Sequence, residues 1–333
     1  MNKAISFLLS FAVCASSLAY EKEVTVSNSK AGITLAGTLA MPDNATPRAM
    51  LVLASGSGAQ NRDEEVFGLK PFKVLSDALV AQGYGVLRMD DRGVGASEGS
   101  SETALLDDLT DDAIYGVEFM RELFPGVKTG ILGHSQGGLV AIKAATRSVP
   151  DFIVTLASPA WKGDSLVMWQ SQTLSVAATG KWDAEKLERR LLDIAQSDMP
   201  DYMARPLLFM EVAATAGEAA QLPQVKEQIT AMVSPMLIPV YRDLLRYNPT
   251  PDIRNINIPW LAINGEKDMQ VPVESLEVLR QLNPEIITVV VPGHNHLLQK
   301  AQSGLPAEYA TAGQSPSAES LSLLLDNLNI ILK

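Results

Sequence analysis

The sequence predicts an α/β fold in which a mostly parallel central sheet carries helices on both faces and a helical insertion interrupts it late in the chain. Three observations carry this expectation. From residue 49 to residue 156 short apolar runs alternate with amphipathic stretches, the β-α-β rhythm of parallel strands buried on both sides. Between 161 and 255 that rhythm stops, and only helix-like segments broken by prolines occur. It then resumes with two apolar runs and a closing helix. The chain has 333 residues and is 47% hydrophobic, enough apolar material for a large core.

The elements follow in order. Residues 23–27 and 34–39 nearly alternate in polarity around the turn Asn28 to Gly32, which predicts an opening hairpin. Next come a strand at 49–54, a helix at 70–82, a strand at 85–89 and a helix at 105–124. A strand at 129–132, a helix at 139–147 and a strand at 152–156 complete the first block. Helical segments are expected at 184–196, 207–220, 224–232 and 239–247. Strands at 260–264 and 286–291 and a helix at 318–332 close the chain. The expected organisation is a core of residues 20–160 and 256–333 with an inserted lid at 161–255.

Residues 1–19 read as a signal peptide. Lys3 supplies a positive start, Ala4 to Val13 an apolar run, and Ser17 and Ala19 the small residues before a cleavage site. The run is shorter than the about 20 apolar residues a membrane span needs. The expected mature chain begins near Tyr20 and is exported, periplasmic or secreted. Cys14 is the only cysteine, and Val13 before it departs from a lipid-attachment pattern, so the mature chain is expected to hold no disulfide. The formal net charge of −11 becomes one unit more negative once Lys3 is removed, which opposes binding to nucleic acid or to an anionic membrane.

Gly133-His134-Ser135-Gln136-Gly137 follows an apolar run and opens a helical stretch, the context of a G-x-S-x-G nucleophile elbow. A serine hydroxyl needs an imidazole to take its proton and a carboxylate to hold that imidazole in one tautomer. The chain has three histidines. His134 adjoins the serine and should point the opposite way on the elbow, which leaves His294 and His296 as candidate bases, both after the 286–291 strand. The carboxylate is expected from Gly265-Glu266-Lys267-Asp268, after the 260–264 strand. A chain order of serine, acid, histidine is the one this elbow accompanies. The first oxyanion donor is the backbone N–H of the residue after the nucleophile, Gln136.

With these motifs stand Gly56-Ser57-Gly58 after the third strand, Asp91-Arg92-Gly93-Val94-Gly95-Ala96-Ser97, the continuation of the acid loop to Pro272, and Pro292-Gly293-His294-Asn295-His296-Leu297. Together they resemble the α/β-hydrolase superfamily, and within it an esterase-like branch of secreted enzymes grouped with serine aminopeptidase-type and feruloyl-esterase-type hydrolases. The resemblance implies that Asp268 orients the base, that His296 is the base, and that Ser57 gives the second oxyanion N–H. His294 and Glu266 are the reserves. Ser55 departs from the pattern, because many relatives carry histidine there. Asp90 and Asp91 are expected to fix their loop by hydrogen bonding.

The function expected is a serine hydrolase that cleaves carboxylic esters through an acyl-enzyme, with a small ester or acyl substrate and no metal or cofactor. The same residues serve a peptidase releasing N-terminal residues, or acyl transfer to an alcohol. A binding protein on a hydrolase fold is the reading from another class. Met168, Trp169, Met199, Met203, Phe209, Met210, Met232 and Met236 are candidates to line an acyl pocket, although each taken singly is expected more often to pack in the lid core. Asn61 to Glu65 is expected to be a solvated loop with internal ion pairs, the alternative being contact with a polar substrate.

Overall fold

A computed structural model describes residues 20–43, 46–147 and 149–333. The expected signal peptide, with Cys14, lies outside the described residues.

The chain opens with β1 (Tyr20–Asn28) and β2 (Ile33–Met41), an antiparallel hairpin as its alternation requires. Then follow β3 (Met50–Ala54), α1 (Pro71–Ala81), β4 (Gly85–Met89), α2 (Leu106–Leu123), β5 (Thr129–His134), α3 (Gln136–Thr146) and β6 (Ile153–Leu156). Six helices come next: α4 (Gly163–Thr179), α5 (Glu185–Ala195), α6 (Asp201–Ala216), α7 (Pro223–Val233), α8 (Pro239–Arg246) and α9 (Thr250–Asn255). The chain closes with β7 (Trp260–Gly265), α10 (Ser275–Leu282), β8 (Ile287–Val291) and α11 (Ala318–Ile331).

The strands form one sheet in the order β1-β2-β4-β3-β5-β6-β7-β8. Pairing is antiparallel from β1 through β2 to β4 and parallel from β4 onward. Period-two alternation divides each strand between two cores. In β3, Met50, Val52 and Ala54 join α2 and α3 on one face, while Leu51 and Leu53 join α1 and α11 on the other. Burial of both faces explains why β3 reads as an unbroken apolar run. Each fully buried aliphatic side chain contributes about 1.5–3 kcal/mol. One lost core side chain is therefore a sizeable part of the about 5–15 kcal/mol net stability of a domain.

The insertion has its own core. Leu191, Ala204, Leu208, Val212, Ile229, Val233 and Leu237 pack together within α5 to α7 and the turn that follows. Prolines stand at the first turn of α7 and α8, where the missing N–H has no helical partner to lose. The helix α4, absent from the expected elements, spans 17 residues and ends on Gly180 in the left-handed conformation. Among the described residues no helix is long and apolar enough to cross a membrane.

Candidate active site

The loops after β3, β5, β7 and β8 emerge at the carboxyl edge of the parallel strands, where ligands bind in open α/β sheets. Ser135 stands between β5 and α3 with φ +53° and ψ −117°, a strained conformation for a residue with a Cβ. The flanking glycines make the turn possible by close approach. A Cβ on Gly133 would collide with the Gly137 carbonyl, and one on Gly137 with the carbonyl of Ala54. The spacing of glycines around Ser135 is thus a steric requirement of packing strand, turn and helix together.

Asp268 and His296 come from the loops after β7 and β8. Asp268 Oδ2 is 2.8 Å from His296 Nδ1, and Asp268 Oδ1 accepts N–H bonds from Gln270 and Val271, each 2.8 Å. The two residues are 5% and 4% exposed, so their contact is shielded from water. Asn264 steadies the acid loop, its Nδ2 donating to the Val271 carbonyl at 3.1 Å. Among the described residues the Ser135 hydroxyl makes no hydrogen bond, and catalytic hydrogen bonds often tighten only in the substrate complex.

Both reserves are otherwise engaged. His294 is fully buried, with Nδ1 2.7 Å from the Pro292 carbonyl and Nε2 2.8 Å from Ser317 Oγ. Glu266 accepts the Gly293 N–H at 2.7 Å.

Ser57, Ser135 and Gln136 line one cleft of about 110 Å³. Gln136 begins α3, so its N–H has no partner within the helix. The Ser57 N–H likewise has no partner among the described residues, although its neighbours are held. Gly56 N–H donates to Glu64 Oε1 at 2.6 Å and Gln60 N–H to Asp91 Oδ2 at 2.9 Å. Ser55, the departure from the family pattern, gives its hydroxyl to Asp91 Oδ1 at 2.7 Å. Asp91 therefore clamps both ends of the loop that presents Ser57. Burial pushes its carboxyl up to about 7, against the lowering effect of Ser55 and Gln60 and with help from Glu64 and Asp112. Asp90 holds the same region, accepting from the Arg62 backbone and guanidinium. Both aspartates act by hydrogen bonding as expected, but their side chains hold the loop after β3 rather than their own.

Two expectations fail. Asn61 to Glu65 is not a solvated loop with internal pairs. Glu64 is 4% exposed, adopts φ +50°, and turns inward to Gly56 and His134, while Arg62 reaches Asp90, Glu23 and Thr38. A buried N–H at Gly56 and a buried ring at His134 both need an acceptor, and Glu64 provides it. The signal available in sequence was only a charge cluster close behind Gly56-Ser57-Gly58.

The second is the acyl-pocket role of the insertion's methionines and aromatics, whereas the core role expected of each singly is met for Met199, Phe209 and Met236. None of Met168, Trp169, Met199, Met203, Phe209, Met210, Met232 and Met236 lines the clefts that contain Ser57 and Gln136. Helical phase decides this. Gly163, Leu166, Val167 and Gln170 form the face of α4 toward Ser135, whereas Ser165, Met168, Trp169 and Gln172 line a separate cleft of about 620 Å³. Met203, Met210 and Met232 are exposed, and Met199, Phe209 and Met236 pack on the insertion core. The lining near Ser135 comes instead from Trp161, Leu166, Val167, Tyr241, Leu244 and Tyr247.

A family model described as serine aminopeptidase, S33, matches residues 69–298. The chain belongs to this hydrolase family. Esterase EstD of Thermotoga maritima is 24% identical over 297 residues, covering 88% of this chain and 64% of that relative. The S33 member described here thus spans 64% of the length of that relative. Among solved structures, the Pyrococcus furiosus esterase Pf2001 superimposes with a TM-score of 0.56 at 18% identity, covering 94% of each chain. Ferulic acid-bound Est1E of Butyrivibrio proteoclasticus gives 0.54 at 17% identity, covering 92% of this chain and 96% of that one. These likenesses are of fold, and the fold is that of α/β-hydrolases.

Proposed function

We propose that this S33 family member hydrolyses carboxylic esters through an acyl-enzyme on Ser135, with His296 as base, Asp268 as its orienter, and the N–H groups of Ser57 and Gln136 as oxyanion donors. The observation that carries the reading is the buried 2.8 Å contact of Asp268 with His296 at the sheet edge where Ser135 stands on its strained turn. Esterases among the relatives support it.

In this mechanism Ser135 Oγ bonds to the ester carbonyl carbon as its proton passes to His296 Nε2. Negative charge on the carbonyl oxygen is met by the two N–H groups, which need no reorganisation. The tetrahedral adduct expels the alcohol, which leaves with the proton from His296. Water then attacks the acyl-enzyme by the same steps and frees the acid and Ser135.

Two clefts meet at Ser57, Gln136, Tyr241 and Leu244. The narrower reaches Val271, on the side of the acid and base loops. The wider, of about 410 Å³, is lined largely by Ala104, Leu109, Pro235, Ile238, Val240 and Leu244. Because the alcohol must leave beside His296, the acyl group lies in the wider, mainly apolar cleft. The insertion forms the roof of both, so residues 161–255 act as a lid. It is tied down by Gln170 Nε2 donating to the Gln270 carbonyl at 2.6 Å and by Leu106 N–H donating to Asp243 at 3.0 Å.

Turnover of nitrophenyl esters of increasing acyl length, run beside aminoacyl nitroanilides, tests the reading. Ester hydrolysis exceeding anilide hydrolysis by on the order of a hundredfold or more is expected. Preferential release of N-terminal residues would contradict it. Export is proposed on the pattern of residues 1–19. A mature N-terminus near Tyr20 by mass spectrometry supports export, and retained Met1 or a lipid on Cys14 would sink it.

A further inference from the structure

We propose that His134 is held as an imidazolium and, paired with Glu64, acts as a charged clamp that keeps the oxyanion loop, the nucleophile turn and the base loop in register. The positioning role rests on the ester-hydrolase reading of Ser135. The charge state of the pair does not.

His134 Nδ1 lies 2.9 Å from Glu64 Oε1, and its Nε2 lies 3.1 Å from the main-chain carbonyl oxygen of His296. A carbonyl oxygen only accepts, and Glu64 Oε1 already accepts the Gly56 N–H at 2.6 Å. With Glu64 as the carboxylate, which only accepts, both ring nitrogens face acceptors. A neutral imidazole has one N–H and would leave a lone pair against one of them, whereas the imidazolium donates to both.

The surroundings favour retaining that charge. Burial by itself pulls the imidazole's pKa down, but the charge and hydrogen bond of Glu64, the His296 carbonyl and the charge of Asp268 outweigh it and leave it raised. The ring of His296, 4.9 Å away between centroids, is the remaining titratable neighbour. The small space beside the pair is walled by the apolar groups Pro71, Phe72, Leu75, Leu156, Leu297 and Leu298. Water has little access there to replace a lost hydrogen bond.

The connections explain why this charge bears on the reaction. Gly56 directly precedes Ser57, His134 directly precedes Ser135, and the carbonyl held by Nε2 belongs to the proposed base itself. One side-chain pair thus joins the loop after β3, the end of β5 and the loop after β8, which carry the oxyanion donor, the nucleophile and the base of the proposed reaction. Loss of the proton opens the bond to Glu64 or the bond to His296 and loosens the site without removing any catalytic group. Glu64 and His134 are positioning residues.

The test is a pH profile together with a direct view of the ring. The chain's three histidines make ¹⁵N-histidine NMR tractable, with His134→Gln assigning the signal. In the wild type both ring nitrogens of His134 are expected to carry protons at neutral pH, and the alkaline fall of kcat/KM to follow their loss. Glu64→Gln keeps an acceptor for Gly56 but removes the counter-charge. It should lower kcat by about 10- to 100-fold, change KM by less than about threefold, and move the alkaline limb down by about one pH unit or more. A wild-type His134 that is neutral at pH 7, or an alkaline limb unmoved in Glu64→Gln, overturns the clamp. If that variant does not fold, the NMR titration of the wild type still decides the charge state. An imidazolium in a wild type devoid of ester turnover would overturn the ester-hydrolase reading and the positioning role with it, while leaving the charged pair established.

Discussion

Asp268 and His296 meet at 2.8 Å although 28 residues separate them, because β7 and β8 are parallel neighbours whose following loops leave the same edge of the sheet. The contact is buried, and Asp268 is held from behind by two backbone N–H groups. The pair therefore behaves as one unit. Asp268→Asn should lower kcat by on the order of 10⁴-fold, and His296→Ala by a similar factor. The double variant should be no worse than the poorer single variant within about tenfold. Steady-state kinetics on a nitrophenyl ester check this, and multiplicative losses would break the unit apart.

His294, two residues before the proposed base, should give the opposite phenotype. Its two nitrogens bond Pro292 and Ser317 and anchor the start of α11. His294→Ala should cost about 1–3 kcal/mol of stability by leaving those groups unpartnered, with kcat within a few-fold of wild type. Denaturant unfolding beside kinetics separates the two effects. Severe loss of kcat without loss of stability would place the base at His294.

The clefts make a specific forecast about the lid. Tyr241→Ala and Leu244→Ala, at the junction of both clefts, should shift the preference between short and long acyl esters by about 1–3 kcal/mol in relative kcat/KM. Substitution of the exposed Met203, Met210 and Met232 by alanine should leave the preference unchanged. A chain-length panel on these five variants decides the matter. Shifts confined to the methionines would mean that the acyl group binds elsewhere on the insertion.

Asp91 sets a stability-versus-pH prediction. Its carboxyl is pushed up to about 7 from an ordinary 3.8, so across that window the folded protein holds a proton that the unfolded chain has released. Its contribution is fully present below about pH 4 and is lost as the pH rises through about 7. Asp91→Asn cannot ionise. Relative to wild type its melting temperature should rise progressively from about pH 4 to pH 8, even though the variant weakens the Ser55 and Gln60 bonds throughout. A constant difference across that range would mean that Asp91 ionises at its ordinary value.

Much of the fold was legible because its signals are local. Period-two runs, helix spacing and the stop in rhythm after β6 mark the elements, and the Ser135 turn demands glycine at fixed offsets for steric reasons confined to Ala54, Gly133 and Gly137. The loops that carry Asp268 and His296 could be placed because each follows an apolar strand run, whereas the preference for these two over Glu266 and His294 came from the family resemblance. Glu64 could not, since its partners Gly56, His134 and, through the ring, His296 lie 8, 70 and more than 200 residues away. The cleft lining was misread for a related reason. Composition of the insertion counts methionines, whereas packing of α4 and α8 on the sheet edge selects which helical face turns toward Ser135.

That Ser135 is the nucleophile is tested by turnover of a nitrophenyl ester by Ser135→Ala, with a fluorophosphonate probe applied to both proteins. The hydroxyl makes no hydrogen bond among the described residues, so the variant should fold as the wild type does. Its kcat should fall by on the order of 10⁴-fold or more, and the probe should add one phosphonyl group to the wild type, mapped to Ser135, and none to the variant. Turnover near the wild-type rate in Ser135→Ala, or labelling that persists in it, would contradict the account.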